Sequence, residues 1–263
     1  TKYKFINNET NEPYEKELSF MNFYIVEIFG GLVFTIGYMF NLLSFIYFQF
    51  SRSFRDSSLK QYFSVISISD SIHLFEWLSL FLISSKKILF LNKVICRLIL
   101  FILFTSGIIS VWSLVFLSIE RYIILRFPFT GKQFYTKKKS LYMLIIIIFS
   151  SIFFNLPYLL FETFIDDCHI NETKHLFSCF PSEKFKFYVL FNNIIIYSII
   201  PFFIILIFNF LLILILAKQK KELSSMTNKN VSERNFFQKT KREKQFKERT
   251  ILLILVTFFL VFT

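Results

Sequence analysis

Three sets of residues in this chain could do chemistry that their surroundings otherwise oppose. Asp70 stands inside the run SVISISDSIHLF. An ionisable group at the middle of a membrane span costs about 2.5–3.5 kcal/mol or more, so it is a functional candidate by default. The plain alternative is a buried Asp satisfied by neighbouring amides and hydroxyls. Glu120 and Arg121 adjoin near the end of residues 96–128, CRLILFILFTSGIISVWSLVFLSIERYIILRFP. The Arg121 guanidinium stays charged at any working pH and must be paired, exposed or docked on a partner. Its plain alternative is an arginine snorkelling from a helix end. Cys168, His169, His175 and Cys179 form the third set, and their spacing matches no standard zinc pattern. No nucleophile with a nearby base, metal triad or nucleotide-binding loop stands out, so no enzymatic activity is expected.

The elements that must position these groups are apolar helices. Hydrophobic residues make up 54% of the 263, against about 45–50% in soluble domains. Forty Phe and long Ile/Leu runs call for lipid on most sides. Residues 96 and 121 are separated by roughly 37 Å of helix, enough to cross a hydrocarbon core of about 30 Å. Spans are expected over 20–48, 57–85, 93–127, 138–161 and 188–217, with half a span from 250 to 263. The chain begins at Thr1 without Met and stops inside an apolar run, which reads as a fragment. The absence of an internal repeat disfavours an inverted-repeat transporter. Three Cys allow one bridge and a spare.

Placement of the basic residues gives an orientation. Segments 49–61, 121–140 and 218–249 carry 3, 6 and 11 Lys or Arg, against 3, 4 and 3 in 1–19, 84–97 and 162–187. The richer side is expected in the cytoplasm, which puts the N-terminus outside. The net charge of +12 therefore points to a membrane surface and not to nucleic acid. The basic loop 218–249 is expected to face the bilayer. On the outer side lie the glycosylation sequons at Asn8 and Asn171, whereas the sequon at Asn230 lies inside.

Cys96 at one end of the third span, with Glu120-Arg121-Tyr122 and Pro128 at the other, resembles the third helix of rhodopsin-like (class A) G-protein-coupled receptors. Asn41, Asp70 and Pro201 stand in order at matching intervals, so the resemblance covers about 20–263. It implies an all-α membrane protein, a seven-transmembrane helix bundle with six spans visible and the sixth incomplete. Residues 1–19 would be an extracellular segment, 162–187 an extracellular loop and 218–249 an intracellular one.

The resemblance also implies roles. Glu120 would hold Arg121 at rest, and its release would open a cleft for a heterotrimeric G protein, lined by Tyr122, Leu125 and Pro128. Asp70 and Ser110, with Asn41 nearby, would bind an allosteric sodium ion, and no other cofactor is implied. Val111, Pro201 and Phe258 (or Phe259) would form the packed trio between the ligand pocket and the cytoplasmic half. Cys96 would bridge to Cys179, with Cys168 competing.

Several positions depart from the family pattern. Phe40 replaces the first-helix Gly, Ile147 stands where a fourth-helix Trp is usual, and Asn209 stands where many members have Tyr. Lys244 and Glu248 are both near the place of an acidic partner for Arg121. Leu103 occupies the position of the Asp that pairs with amine ligands, which argues against a monoamine. His73, Glu76 and Trp77 lie above Asp70, towards the expected pocket. The acidic loop 162–187 suits a basic peptide by electrostatic steering, although a solvated glycosylated loop would be as acidic. A neuropeptide-type receptor at the plasma membrane is the expected subtype. A chemosensory receptor for a small molecule and a multi-pass transporter or channel are the alternatives.

Overall fold

The computed structural model describes residues 12–51, 54, 57–84, 93–127, 130, 131, 133, 135–160, 163–169, 175–181 and 185–227, with backbone alone for 12–27, 80–84, 93, 163–169, 175–181 and 220–227. Helix α1 spans Glu12–Phe50, α2 Leu59–Ser84 and α3 Lys93–Arg126. After a connection, α4 spans Lys137–Asn155 and the one-turn α5 Pro157–Leu160. Strands β1 (Thr163–His169) and β2 (His175–Pro181) form an antiparallel hairpin with Cys179 opposite Ile165 and Cys168 opposite Leu176. The next span comprises α6 (Lys186–Leu190), a π-helical segment (Phe191–Ile199) and α7 (Ile200–Thr227). The sixth span expected from residue 250 lies outside the described residues.

Four of these stretches are long and apolar enough to cross a membrane: Ile28–Phe50, Val94–Arg126, Lys137–Leu160 and Lys186–Gln219. Helix α2 is long enough at 26 residues but is not among the four. Its polar residues are turned inward instead. Ser67, Ser69 and Glu76 are buried, and α2 packs chiefly on α3 and α1. Other serines satisfy themselves locally, as when the hydroxyls of Ser64, Ser71, Ser113, Ser118 and Ser151 donate to the carbonyl four residues back.

One apolar core joins α1, α2, α3, α4 and α7, through Phe48, Phe63, Leu114, Leu117, Leu144 and Ile205 among others. Phe48 and Phe63 stack with ring centres 4.1 Å apart. Ile147, in the expected Trp position, is buried in the same core. A smaller core holds Cys96, Leu100 and Tyr158, with Phe104 stacked on Tyr158 at 4.6 Å.

Two prolines shape the spans. Pro157 has no N–H and clashes with a preceding turn, so α4 ends at Asn155 and Pro157 opens a new turn. At the break, the Tyr188 hydroxyl donates to the Phe154 carbonyl, so a neighbouring span meets a backbone group there. Pro201 follows the π-helical segment, and the Ile200 N–H reaches back five residues to the Ile195 carbonyl. The fifth span was expected over 188–217 with a proline centred at Pro201; the π-helical form of the irregularity is something that the apolar pattern does not carry.

Candidate functional site

At the Arg121 end of the bundle, the last two turns of α3 place Glu120 and Arg121 between α2 and α4. Glu120 is completely buried and Arg121 nearly so. The Ser58 hydroxyl donates to Glu120 Oε1, and the Ser140 hydroxyl donates to Oε2 at 3.0 Å. A hydroxyl from the start of α2 and one from the first turn of α4 thus clamp one carboxylate on α3. The buried Tyr62 ring lies beside this cluster, and Tyr135, partly buried in the connection 127–136, is near enough for the Glu120 charge to act on it. Burial, and then the Glu120 charge, raise the pKa of the Tyr135 phenol above its usual value. Its hydroxyl therefore stays protonated.

Arg121 does not close an ion pair with Glu120. Its guanidinium NH2 donates to the Ser57 hydroxyl at 3.5 Å, while its Nε has no hydrogen-bond partner. Here the geometry departs from the Glu120–Arg121 hold that the resemblance implied. The reason is positional: with Ser58 and Ser140 on both carboxylate oxygens, the acid is turned toward α2 and α4. Those serines lie 62 and 20 residues from Glu120, and no local pattern announces them. Tyr122 packs edge-on against Phe208 of α7 at 5.4 Å, and Leu125 is buried. Pro128 lies outside the described residues.

The connection itself is drawn tightly under α3. Gly131 donates to the Phe127 carbonyl at 2.7 Å, and Tyr135 donates to the Gly131 carbonyl at 2.9 Å. A Cβ on Gly131 would meet the Ile123 carbonyl oxygen and the Ile124 Cα at 2.9 Å. Only glycine fits there.

Mid-span, Asp70 faces the buried Ser110 of α3, whose hydroxyl interacts with the carboxylate. Among the described residues no cationic side chain acts on Asp70. Asn41 lines a groove of about 220 Å³ between α1 and α2 with Ser67 and Ser71, neighbours of Asp70 along α2. Val111 is half-buried and Pro201 buried on the packed pair α3 and α7; Phe258 lies outside the described residues.

One turn beyond Asp70, His73 is fixed from both sides. Its Nδ1 lies 2.9 Å from the Leu103 carbonyl, and its Nε2 accepts the Trp77 indole N–H at 3.0 Å. A carbonyl can only accept and an indole can only donate, so the ring is neutral with the proton on Nδ1. Leu103 takes part through its backbone; its side chain is buried. Glu76 is buried and the Trp77 ring exposed. Gly107 admits both His73 and Tyr197, because a Cβ there would stand 3.0 Å from His73 Cε1 and 2.8 Å from Tyr197 Cε2.

Toward the Cys96 end, Asn192 of the π-helical segment donates to Asn155 Oδ1 at 3.0 Å, and Asn155 in turn donates to the Ser151 carbonyl at 2.8 Å. Sequence reasoning did not single out this pair. Cys96 is completely buried, and α3 touches β1 while α2 touches β2. The side chains of Cys179 and Cys168 lie outside the described residues, as do Asn8 and Asn171. Among the described residues no three His, Cys, Asp or Glu side chains gather as a metal cluster.

The family model of the seven-transmembrane receptor (rhodopsin family) matches residues 32–263. No curated protein matches the chain. With that match running through every marker from Asn41 to Pro201, the chain belongs to the rhodopsin family of seven-transmembrane receptors and is a multi-pass membrane protein.

Proposed function

We propose that this receptor converts binding of an extracellular peptide into activation of a heterotrimeric G protein at the plasma membrane, with its N-terminus outside. The observation that carries the coupling step is Arg121, a buried cation whose hydrogen-bonding contact is one serine hydroxyl at 3.5 Å. The Glu120 charge acts on this cation, but the guanidinium's hydrogen-bonding capacity is largely unused, so it gains by moving to a partner that offers better acceptors. A G-protein tail entering beside Tyr122, Leu125 and Pro128 would offer them. The agonist shifts the population toward the open state by its differential affinity for that state. The expected movement is a displacement of the sixth helix.

Around this path the remaining residues take subordinate roles. Asp70 and Ser110, with Asn41 near, would hold a sodium ion. Their carboxylate and hydroxyl oxygens suit a hard cation, and among the described residues no basic side chain acts on Asp70. The ion supplies positive charge that stabilises the resting packing of α2 on α3. Val111, Pro201 and Phe258 would pass the rearrangement inward from a pocket bordered by His73, Glu76, Trp77 and Leu103. A bridge from Cys96 to Cys179 would tie the hairpin over that pocket, and Asn8 and Asn171 would carry glycans. The acidic residues of loop 162–187 favour a basic peptide.

The test is agonist-dependent G-protein activation in cells against a panel of short amidated peptides, wild type beside Arg121→Ala. A response lost in Arg121→Ala at unchanged surface expression is the expected result. A response that survives the substitution would sink the coupling mechanism, and a response to small molecules alone would remove the peptide.

A further inference from the structure

Outside α2 the membrane-crossing stretches are bare of carboxylates: residues 28–50, 94–119, 137–160 and 186–217 contain no Asp or Glu. Helix α2 holds two, Asp70 and Glu76. Asp70 meets the Ser110 hydroxyl and belongs to the proposed sodium site. Glu76 has no such role: it is nine-tenths buried, and among the described residues no cation acts on it. Beside it stands Trp77, whose side chain is 56% exposed. Asp70, His73 and Trp77 recur at i, i+3 and i+7, so they share one face of α2. That face meets α3, through Ser110 at Asp70 and through the Leu103 carbonyl at His73. A tryptophan of the lipid-facing aromatic belt would point away from the bundle. Trp77 shares the inward stripe and is still exposed, so a hollow lies over its ring. The ring is also held, because its N–H donates to His73 Nε2 at 3.0 Å and His73 rests on the Leu103 carbonyl at 2.9 Å. One imidazole thus ties the indole to the backbone of α3. Donating that hydrogen bond polarises the indole and enriches its face in electrons. The imidazole itself is neutral and repels no cation.

We infer that Trp77 and Glu76 form the subsite for a positively charged group of the ligand, a guanidinium or an ammonium, with His73 as the positioning residue that fixes the indole. Tryptophan offers the strongest cation–π attraction of any side chain, and the attraction grows when the cation is desolvated. Glu76 adds a full negative charge in surroundings where charge is poorly screened. Leu103 presents only a buried apolar side chain on α3, so the acceptor for a cation stands on α2 instead. The inference rests on the proposed function for the existence of an extracellular ligand, and it names the group by which that ligand is held.

The experiment uses the purified full chain in neutral detergent micelles and reads equilibrium binding of Nα-acetyl-arginine methylamide by calorimetry. No G protein enters, so the coupling mechanism can fail while the subsite stands. The citrulline counterpart, neutral and nearly the same shape, should bind about 5-fold or more weakly. Trp77→Phe and Trp77→Leu should lower the affinity for the arginine probe in that order, the second by about 2–30-fold. Glu76→Gln should weaken the arginine probe alone. The chain has two tryptophans, so in Trp112→Phe every tryptophan analogue enters at position 77. Successive fluorination of that ring drains its face at nearly constant size, and affinity should fall with each added fluorine. His73→Leu should weaken the arginine probe and leave the citrulline probe unchanged. His73→Gln keeps an acceptor for the indole and should restore part of the loss. Four results would overturn the inference: no saturable binding of the arginine probe, equal binding of the two probes, affinity indifferent to fluorination, or His73→Gln no better than His73→Leu. Agmatine, a guanidinium without peptide units, tells the ligand sources apart. Agmatine binding tighter than the acetylated arginine would support the cation subsite and remove the peptide.

Discussion

Glu120 illustrates how one residue can be legible in kind and misleading in contact. Its type and spacing mark it as a member of an acid–arginine pair, yet both its oxygens are taken by Ser58 and Ser140. Removing one donor leaves a buried charged acceptor short of a partner, which costs about 1–3 kcal/mol or more. Ser58→Ala and Ser140→Ala should each lower the thermal stability of the purified receptor by that order. Because the Arg121 charge and the Ser140 hydroxyl both act on the Glu120 carboxylate, the loss in Ser140→Ala should differ in an Arg121→Ala background by about 0.5–3 kcal/mol. Strict additivity of the two substitutions would show that the acid and the arginine act independently. Ser140 could not have been found from the sequence, since a serine at the start of an apolar helix is ordinary. Only the packing of α4 against α3 gives it a partner.

At the scale of elements, glycines set how closely the helices approach. Gly107 brings α3 against His73 of α2 and Tyr197 of the π-helical segment, where a Cβ would stand 2.8 Å from a ring atom. Gly107→Ala should cost about 1–3 kcal/mol by overpacking. Gly37→Ala meets only the mobile tip of Leu74 at 3.0 Å and should cost less. Denaturation of the two variants side by side measures the difference, and equal losses would contradict this reading of the α3 contact. The π-helical turn belongs to the same scale. Pro201 announces an irregularity, but its form depends on how the Asn192 and Tyr197 faces must be aimed, and this is a tertiary matter. Helix α2 shows the converse: its serines and acids make it look less like a span, and packing on both α1 and α3 explains why it tolerates them.

For the whole molecule, the proposed orientation makes a prediction of its own. In mammalian cells Asn8 and Asn171 should acquire glycans and Asn230 should stay bare. A gel shift on glycosidase treatment that Asn8→Gln/Asn171→Gln abolishes is expected. A shift that depends on Asn230 would invert the topology. The family and its helical class were readable from the chain alone, because crossing a bilayer imposes length and apolarity on each span. The markers Asn41, Asp70, Cys96, Glu120-Arg121-Tyr122 and Pro201 are fixed by distance along helices, and distance along a helix is local information. What the tertiary structure decided is who touches whom across helices: two serines on Glu120, one hydroxyl on Arg121, and a carbonyl and an indole on His73. Those contacts join residues tens of positions apart, and side-chain polarity alone does not choose among the many hydroxyls that could have made them.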